Sequence, residues 1–439
     1  MKNRLLVGTA LVAGCLGGLG PAQAADPIKI NVGGFSKWWV VGASQSGAYS
    51  KALGYTGQGG YSSGASGAYN TASIKGDNEI WFQGSTALDN GLKVGVFVSL
   101  EAGGHTDETT DPIDHSYAWV EGGFGKLMLG TLKNSAYQLH VQAPDAAANW
   151  NDGGMATAGF AVARPAAVEG MNEREGYTGV WQTTSIIADN KAEKIVYFTP
   201  TFAGVTLGAT YVPDATTEDN RGQGKNRGQA YGLGAGYATS LGPVGVKLSA
   251  GAFQTELAAG ERVNQYSGGS QLSYAGFTLG GSYQLARDQI AKAGSVSTTS
   301  TGANGSVGNN PVGTAAAAAI GRALPGIGNG VNYRYDFGGE AYDVGLQYAT
   351  GPYAISFAYF HSATRGVKLD TYGIGKHDDD TIDVYQASGK YALSPGIDLL
   401  ASVGYADFQS GLYKLSSNGY RDTLKNDGYF GMTGLSLKF

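Results

Sequence analysis

Cysteine is nearly absent: Cys15 is the single one in 439 residues, so no intrachain disulfide framework can staple the fold. Charge is scarce as well. Asp, Glu, Lys and Arg make up 15% of the chain, against about a quarter in ordinary soluble domains. Beyond the N-terminal segment no apolar run approaches the ~20 residues of a membrane-spanning helix. Acids number 35 and bases 30, with no basic stripe, which speaks against a nucleic-acid partner. The five histidines are scattered without an H-x-x-x-H pair, so no zinc motif is present and no cofactor is expected. What the chain does have is glycine, 72 residues, and tyrosine, 27. Its mean hydropathy is −0.16. Little charge, much Gly and Tyr, and no hydrophobic helix suit a β-protein with one apolar and one polar face.

The first residues read as an export signal. "MKNR" is a basic start, "LLVGTALVAGCLGGLG" an apolar core, and Ala22 and Ala24 form an A-x-A cleavage site. The expected leader is 1–24 and the mature chain 25–439. "LVAGC" also fits a lipobox that would lipidate Cys15, and the mass of the mature N-terminus separates the two. Removing Lys2 and Arg4 leaves 28 bases against 35 acids, a net charge of −7.

The rest alternates. "NEIWFQGSTA" and "LKVGVFVSLE" flank Asn90-Gly91, a tight-turn pair. "EKIVYFT" and "GVTLGATYV" flank "PTFA", and "TIDVYQASGKYAL" and "GIDLLASVGYADFQ" flank "SP". About sixteen such strands follow one another, each near the 9–11 residues of a membrane β-strand. Turns are short on one side. On the other, residues 43–78, 134–193 and 288–338 make long connections. Charge tests the alternation. Val94, Val96 and Val98 oppose Lys93 and Glu101; Val246, Leu248 and Ala250 oppose Lys247. Val344 and Leu346 oppose Asp343, and Ile28, Ile30 and Val32 oppose a set that reaches Lys37. A Lys or Arg facing lipid at the midplane costs roughly 2–4 kcal/mol, so charges keep to the inner face. "SYAWVEG" and "KIVYF" carry bulky groups on both faces and give no orientation.

A solenoid would show a short fixed repeat, and a sandwich of this length would split into linked domains. Neither sign is present. In lipid an open sheet edge leaves backbone groups unsatisfied, so the strands must close. Closure pairs the first strand with the last, "GLSLKF". The expected fold is an all-β transmembrane antiparallel barrel of about sixteen strands.

"LDNGLKVGVFVSLE", "DHSYAWVEGGFGKLMLG" and "EKIVYFTPTFAGVTLGATYVPD", with the terminal Phe439, resemble the Gram-negative general porin family. The resemblance spans the mature chain. It implies a homotrimeric, sixteen-stranded barrel set in outer-membrane lipid and lipopolysaccharide. It also implies passive diffusion of small hydrophilic solutes, and a last strand ending in an aromatic, Phe439, that the barrel-assembly machinery reads. In that family the third long loop folds into the lumen. Here it is 134–193, with Asp145, Asp152, Glu169, Glu173, Glu175 and Asp189 among its acids, and Arg164 and Arg174 among its bases. Lumen-wall candidates are Lys37, Lys93, Glu101, Lys247 and Asp343. An acid-rich pore favours cations, so weak cation preference is expected. The alternative is a substrate-selective channel for sugars or small carboxylates.

Other signals carry less. "GLGAGY" lies mid-strand with no following helix, so Gly232, Gly234 and Gly236 read as small lumen residues rather than a nucleotide loop. Asp378, Asp379 and Asp380 lack the spacing of a calcium loop. No Ser/His pair suits a lipase-type barrel, and no enzyme activity is expected. Trp38, Trp39, Tyr348, Tyr359, Tyr405 and Tyr429 suit aromatic girdles, and Trp81 and Phe97 are candidates for stacking sugars in the lumen.

Overall fold

The structure, a computed structural model, describes residues 27–50, 72–102, 113–147, 162–165, 168, 180, 182–189, 192–215, 227–257, 262–288, 291–296, 331–335, 338–365, 368–369, 379–411, 422 and 424–439. The expected leader 1–24, with Cys15, and Asp378 fall outside them.

Among these residues the alternating segments form nineteen strands. They are β1 (Lys29–Gln45), β2 (Ala72–Ala87), β3 (Lys93–Glu101), β4 (Ile113–Gly122), β5 (Gly125–Thr131) and β6 (Glu193–Phe198). Next come β7 (Val205–Val212), β8 (Arg227–Leu241), β9 (Val244–Leu257), β10 (Arg262–Tyr274), β11 (Phe277–Asp288), β12 (Ala291–Val296) and β13 (Val331–Tyr335). The last are β14 (Gly339–Thr350), β15 (Tyr353–Thr364), β16 (Lys368–Leu369), β17 (Asp380–Ser394), β18 (Ile397–Gln409) and β19 (Lys425–Lys438). Sixteen close into one antiparallel barrel, while β12, β13 and β16 make a small separate sheet. Closure leaves no open edge for lipid to meet.

Turn chemistry sets one rim. Gly91 takes φ +83°, its N–H donates to Leu88 O at 2.9 Å, and Asn90 Oδ1 accepts from Leu92 N at 3.1 Å. Comparably short turns join β4 to β5, β6 to β7, β8 to β9, β10 to β11, β14 to β15 and β17 to β18. Most connections at the opposite rim are long.

At the seam β1 pairs with β19: Leu435 lies opposite Trp38 and Ser436 opposite Lys37. Gly34 N donates to Phe439 O at 2.9 Å and Phe439 N to Gly34 O at 3.1 Å. Leu435, Leu437 and Phe439 are exposed on the outer face. The register also orients the two ambiguous strands. Tyr117 and Trp119 of β4 face inward opposite Gly130 and Met128 of β5. Lys194, Val196 and Phe198 of β6 share that inner face.

Two expectations need correction. Trp39 is no girdle residue: it points inward and is 2% exposed, whereas Trp38 faces out. Charge, too, does not keep wholly to the inner face. Near the long-loop rim His361, Asp383, Asp407 and Asp427 form an outward cross-strand row, next to a row of Tyr359, Tyr385, Tyr405 and Tyr429. The tyrosines match an interfacial girdle. Charges beyond a girdle reach water and head groups, so the midplane cost does not apply there.

Candidate functional site

The described parts of the connection between β5 and β6 (132–192) lie inside the barrel. It opens with Asn134, whose Oδ1 caps the short helix α1 (Ser135–Gln138) by accepting from Tyr137 N at 2.8 Å. Asn134 Nδ2 donates to Ile186 O at 2.8 Å and Asp189 Oδ1 at 2.6 Å, tying the two ends of the loop together. Lys194 Nζ, wholly buried, donates to Leu132 O at 2.5 Å and lies 3.4 Å from Asp189.

The wall accepts α1 because it lacks side chains there. A Cβ at Gly234 would sit 2.6 Å from Ser135 O, and one at Gly251 2.9 Å from the Ala136 Cβ. Gly232, Gly234 and Gly236 thus face the lumen, as their parity indicated. The loop then steps round the wall by hydrogen bonds. Thr210 Oγ1 accepts from Ser135 N at 2.8 Å, Ser249 Oγ from Val141 N at 2.9 Å, and Gln271 Nε2 donates to Gln142 O at 2.7 Å. Asp343 Oδ1 accepts from Ala143 N at 3.1 Å and Ser356 Oγ from Ala146 N at 2.9 Å. Gln45 Oε1 accepts from Ala163 N at 2.9 Å. Further along, Val162, Val168 and Val180 bury against Phe360, Ile382, Val384, Phe408 and Phe430 of the wall. Each fully buried large apolar side chain contributes roughly 1.5–3 kcal/mol, so apolar burial and a chain of hydrogen bonds both dock the loop.

These anchors lie on β7–β11, β14, β15, β17–β19 and the stretch of β1 from Trp39 to Gln45. Among the described residues the inner face of β2–β5 carries none of them. On that face one carboxylate oxygen from each of Glu79, Glu101 and Asp114 lies within 4.8 Å of the others. Glu79 stands directly opposite Glu101 in the β2–β3 ladder. A bulge between Ser99 and Leu100 shifts the β3–β4 register beside Asp114.

The sequence-derived candidates separate into groups. Lys37 faces the lumen and pairs with Asp77 at 2.8 Å. Lys93 opens β3 opposite Glu121, at the short-turn rim. Lys247 borders a cavity of about 320 Å³ with Tyr137, His140 and Gln142 of the loop. Glu101 belongs to the carboxylate group. Asp343 is on the inner face but lies beneath the loop as an anchor, not free in the passage. Asp145 likewise binds its own loop, accepting from Ala147 N at 3.2 Å. Arg164 follows the anchored Ala163. Asp152, Glu169, Glu173, Glu175 and Arg174 lie outside the described residues. Asp380 accepts from Ser410 Oγ at 3.0 Å and Gly411 N at 2.7 Å, tying the start of β17 to the connection that follows β18. Glu79 and Asp114 were missed. Glu79 shares the odd-numbered parity of Asp77 and Trp81, so it was readable; Asp114 sits at a bulge that no alternation signals.

A closed barrel with an apolar outer wall, a charged inner wall and a loop docked inside the lumen is a channel of the outer-membrane kind. The chain belongs to the Gram-negative porin family, whose model matches residues 9–411. It is a multi-pass outer-membrane barrel and a passive diffusion channel. No curated protein sequence matches it. Solved structures show the same fold at low identity. A loop L8 deletion form of OmpT, an outer membrane protein of Vibrio cholerae, is 11% identical, with 94% of this chain and 100% of that chain covered at TM-score 0.53. The anion-selective porin from Comamonas acidovorans is 12% identical, with 94% and 100% covered at TM-score 0.50. OmpT in its trimer form is 10% identical, with the same coverages and TM-score 0.52.

Proposed function

We propose that this porin, exported with a leader over 1–24, passes small hydrophilic solutes by size-limited diffusion and weakly prefers cations. The observation that carries the preference is the carboxylate group of Glu79, Glu101 and Asp114, gathered on the inner face of β2–β4. Clustered acids lower the energy of a passing cation and raise that of an anion. The Comamonas protein is described as anion-selective, so the shared fold does not set the sign; the lumen side chains do. Exposed charges are screened beyond ~10 Å at 0.1 M salt, so the preference fades as salt rises. Reversal potential across a bilayer in a KCl gradient tests it. The expected sign is cationic, moving toward neutral in Glu79→Gln/Glu101→Gln. An anionic sign in the unaltered protein overturns the reading.

The same reading includes a homotrimer. β5, β6 and β7 have 7, 6 and 8 residues. At ~3.3 Å per residue and a tilt near 45°, six residues rise about 14 Å, short of the ~25 Å apolar band. That low wall is outwardly apolar through Leu129, Leu207 and Val205, and a second copy of the chain covers it. Phospholipid and lipopolysaccharide meet the taller wall, and the barrel-assembly machinery reads the seam strand with Phe439.

A further inference from the structure

If the pore runs along β2–β5 and the short-turn half of β1, as the proposed function has it, solutes pass a wall with more rings than an aqueous channel needs. Phe35, Trp81, Phe97, Tyr117 and Trp119 all face inward, and none is fully buried. Their placement is ordered. Phe97 and Tyr117 stack with centroids 5.3 Å apart and planes 25° apart; Phe35 and Trp81 lie 6.1 Å apart. A Cβ at Gly33 would fall within the Trp81 indole and one at Gly95 within that of Trp119. Both indoles therefore lie flat on the sheet and turn one face to the lumen. Comparable pairs, Trp39 on Gly434 and Phe430 on Gly404, are buried in the core that the loop covers. Two rings of the open wall already hold ammonium groups: Lys37 Nζ is 4.3 Å from the Phe35 centroid and Lys126 Nζ 4.6 Å from that of Trp119.

We propose that this wall is a stacking path that retains organic cations bearing a planar ring. Such a solute lays its ring on Trp81 or Phe97, and its ammonium meets a neighbouring ring face, where the negative π-cloud attracts it. Glu79, two positions along β2 from Trp81, offers a carboxylate on the same side. Hydrophilic solutes without a ring pass the same wall without pausing. This adds a solute class to the diffusion channel and rests on that reading.

Single-channel recording in KCl tests it with four probes: 2-phenylethylammonium, 2-cyclohexylethylammonium, 3-phenylpropionate and maltose. The expected result is current interruptions that last about two- to tenfold longer with the aryl ammonium than with its cyclohexyl analogue, the range that one aromatic ring pair supplies beyond burial alone, since both probes carry the same ammonium. In Trp81→Leu/Phe97→Leu that ratio falls toward one. Equal dwell times for the two ammoniums in the unaltered protein overturn the proposal without need of any variant. So does a ratio unmoved by the double substitution, or a dwell for phenylpropionate or maltose as long as that of the aryl ammonium. Failure of the underlying cation reading shows separately, as an anionic reversal potential in KCl with no probe added.

Discussion

His140 sits where the loop meets the wall, its Nε2 3.2 Å from Thr184 Oγ1. Burial pushes its imidazole down to about 4 from the ordinary 6.5. Thr184 continues to Ser282 at 2.6 Å, and Ser282 donates to Asp343, the acceptor for Ala143 N. A neutral ring suits this packing. Above pH 6.5 the imidazole is neutral whether the loop is docked or released. As pH falls below 6.5 a released loop takes up a proton that the docked loop refuses. Docking therefore weakens by about 1.4 kcal/mol per pH unit, until the docked ring also titrates near pH 4. Conductance noise is expected to grow between pH 6.5 and 4 in the unaltered channel and to stay flat in His140→Gln. A flat trace in the unaltered channel refutes the assignment. Nothing in "YQLHVQ" marks this histidine, because burial comes from wall residues distant in the chain. Lys194 is alike: a lone basic residue in "EKIVYF" acquires its role from Leu132 and Asp189.

Strands were legible to the extent that one face stayed wet. In β3, and in β9 and β18 short of the long-loop rim where Glu256 and Asp407 turn outward, the charged positions separate from the apolar ones, and the register agrees with them. In β4 and β6 the inner face is itself apolar, since Tyr117, Trp119 and Phe198 pack on Met128, Leu132 and Val196. Trp39 misled for the same reason: the loop turns that stretch of lumen into a core. The outer face is the steadier signal, and its two walls make different demands. Val344, outward and exposed midway along the long strand β14, meets acyl chains. Val344→Lys is expected to cost about 2–4 kcal/mol of barrel stability, read by heat or urea unfolding in lipid, with trimers retained. Leu129→Lys on the short β5 is expected instead to release monomers. If Val344→Lys dissociates the trimer and Leu129→Lys does not, the low wall is not the subunit contact.

The barrel as a whole depends on one late pairing. β19 can join β1 only after every intervening strand is placed, so the seam closes the structure. Phe439 contributes two backbone hydrogen bonds there, and its ring lies over Gly34, where a Cβ would be 2.7 Å from Cζ. Deleting Phe439 is expected to reduce assembled barrels more than it changes the conductance of those that form. Normal yield of folded trimer from the deletion refutes this.

Strand number, alternation, closure of first strand on last and the place of the long loop follow from the sequence alone. Each is a consequence of period-two patterning against lipid, which acts on neighbouring residues and leaves its mark in order along the chain. Which lumen residues remain in the passage was decided by the tertiary structure. Asp145 turned to its own loop, Asp343 became an anchor, Trp39 became core, and Glu79, Glu101 and Asp114 came together on a wall where no described loop residue is anchored. The reason is that the docked loop covers one side of the lumen. Its contacts join residues as far apart as Ala143 and Asp343, and no local pattern records which inner positions it hides.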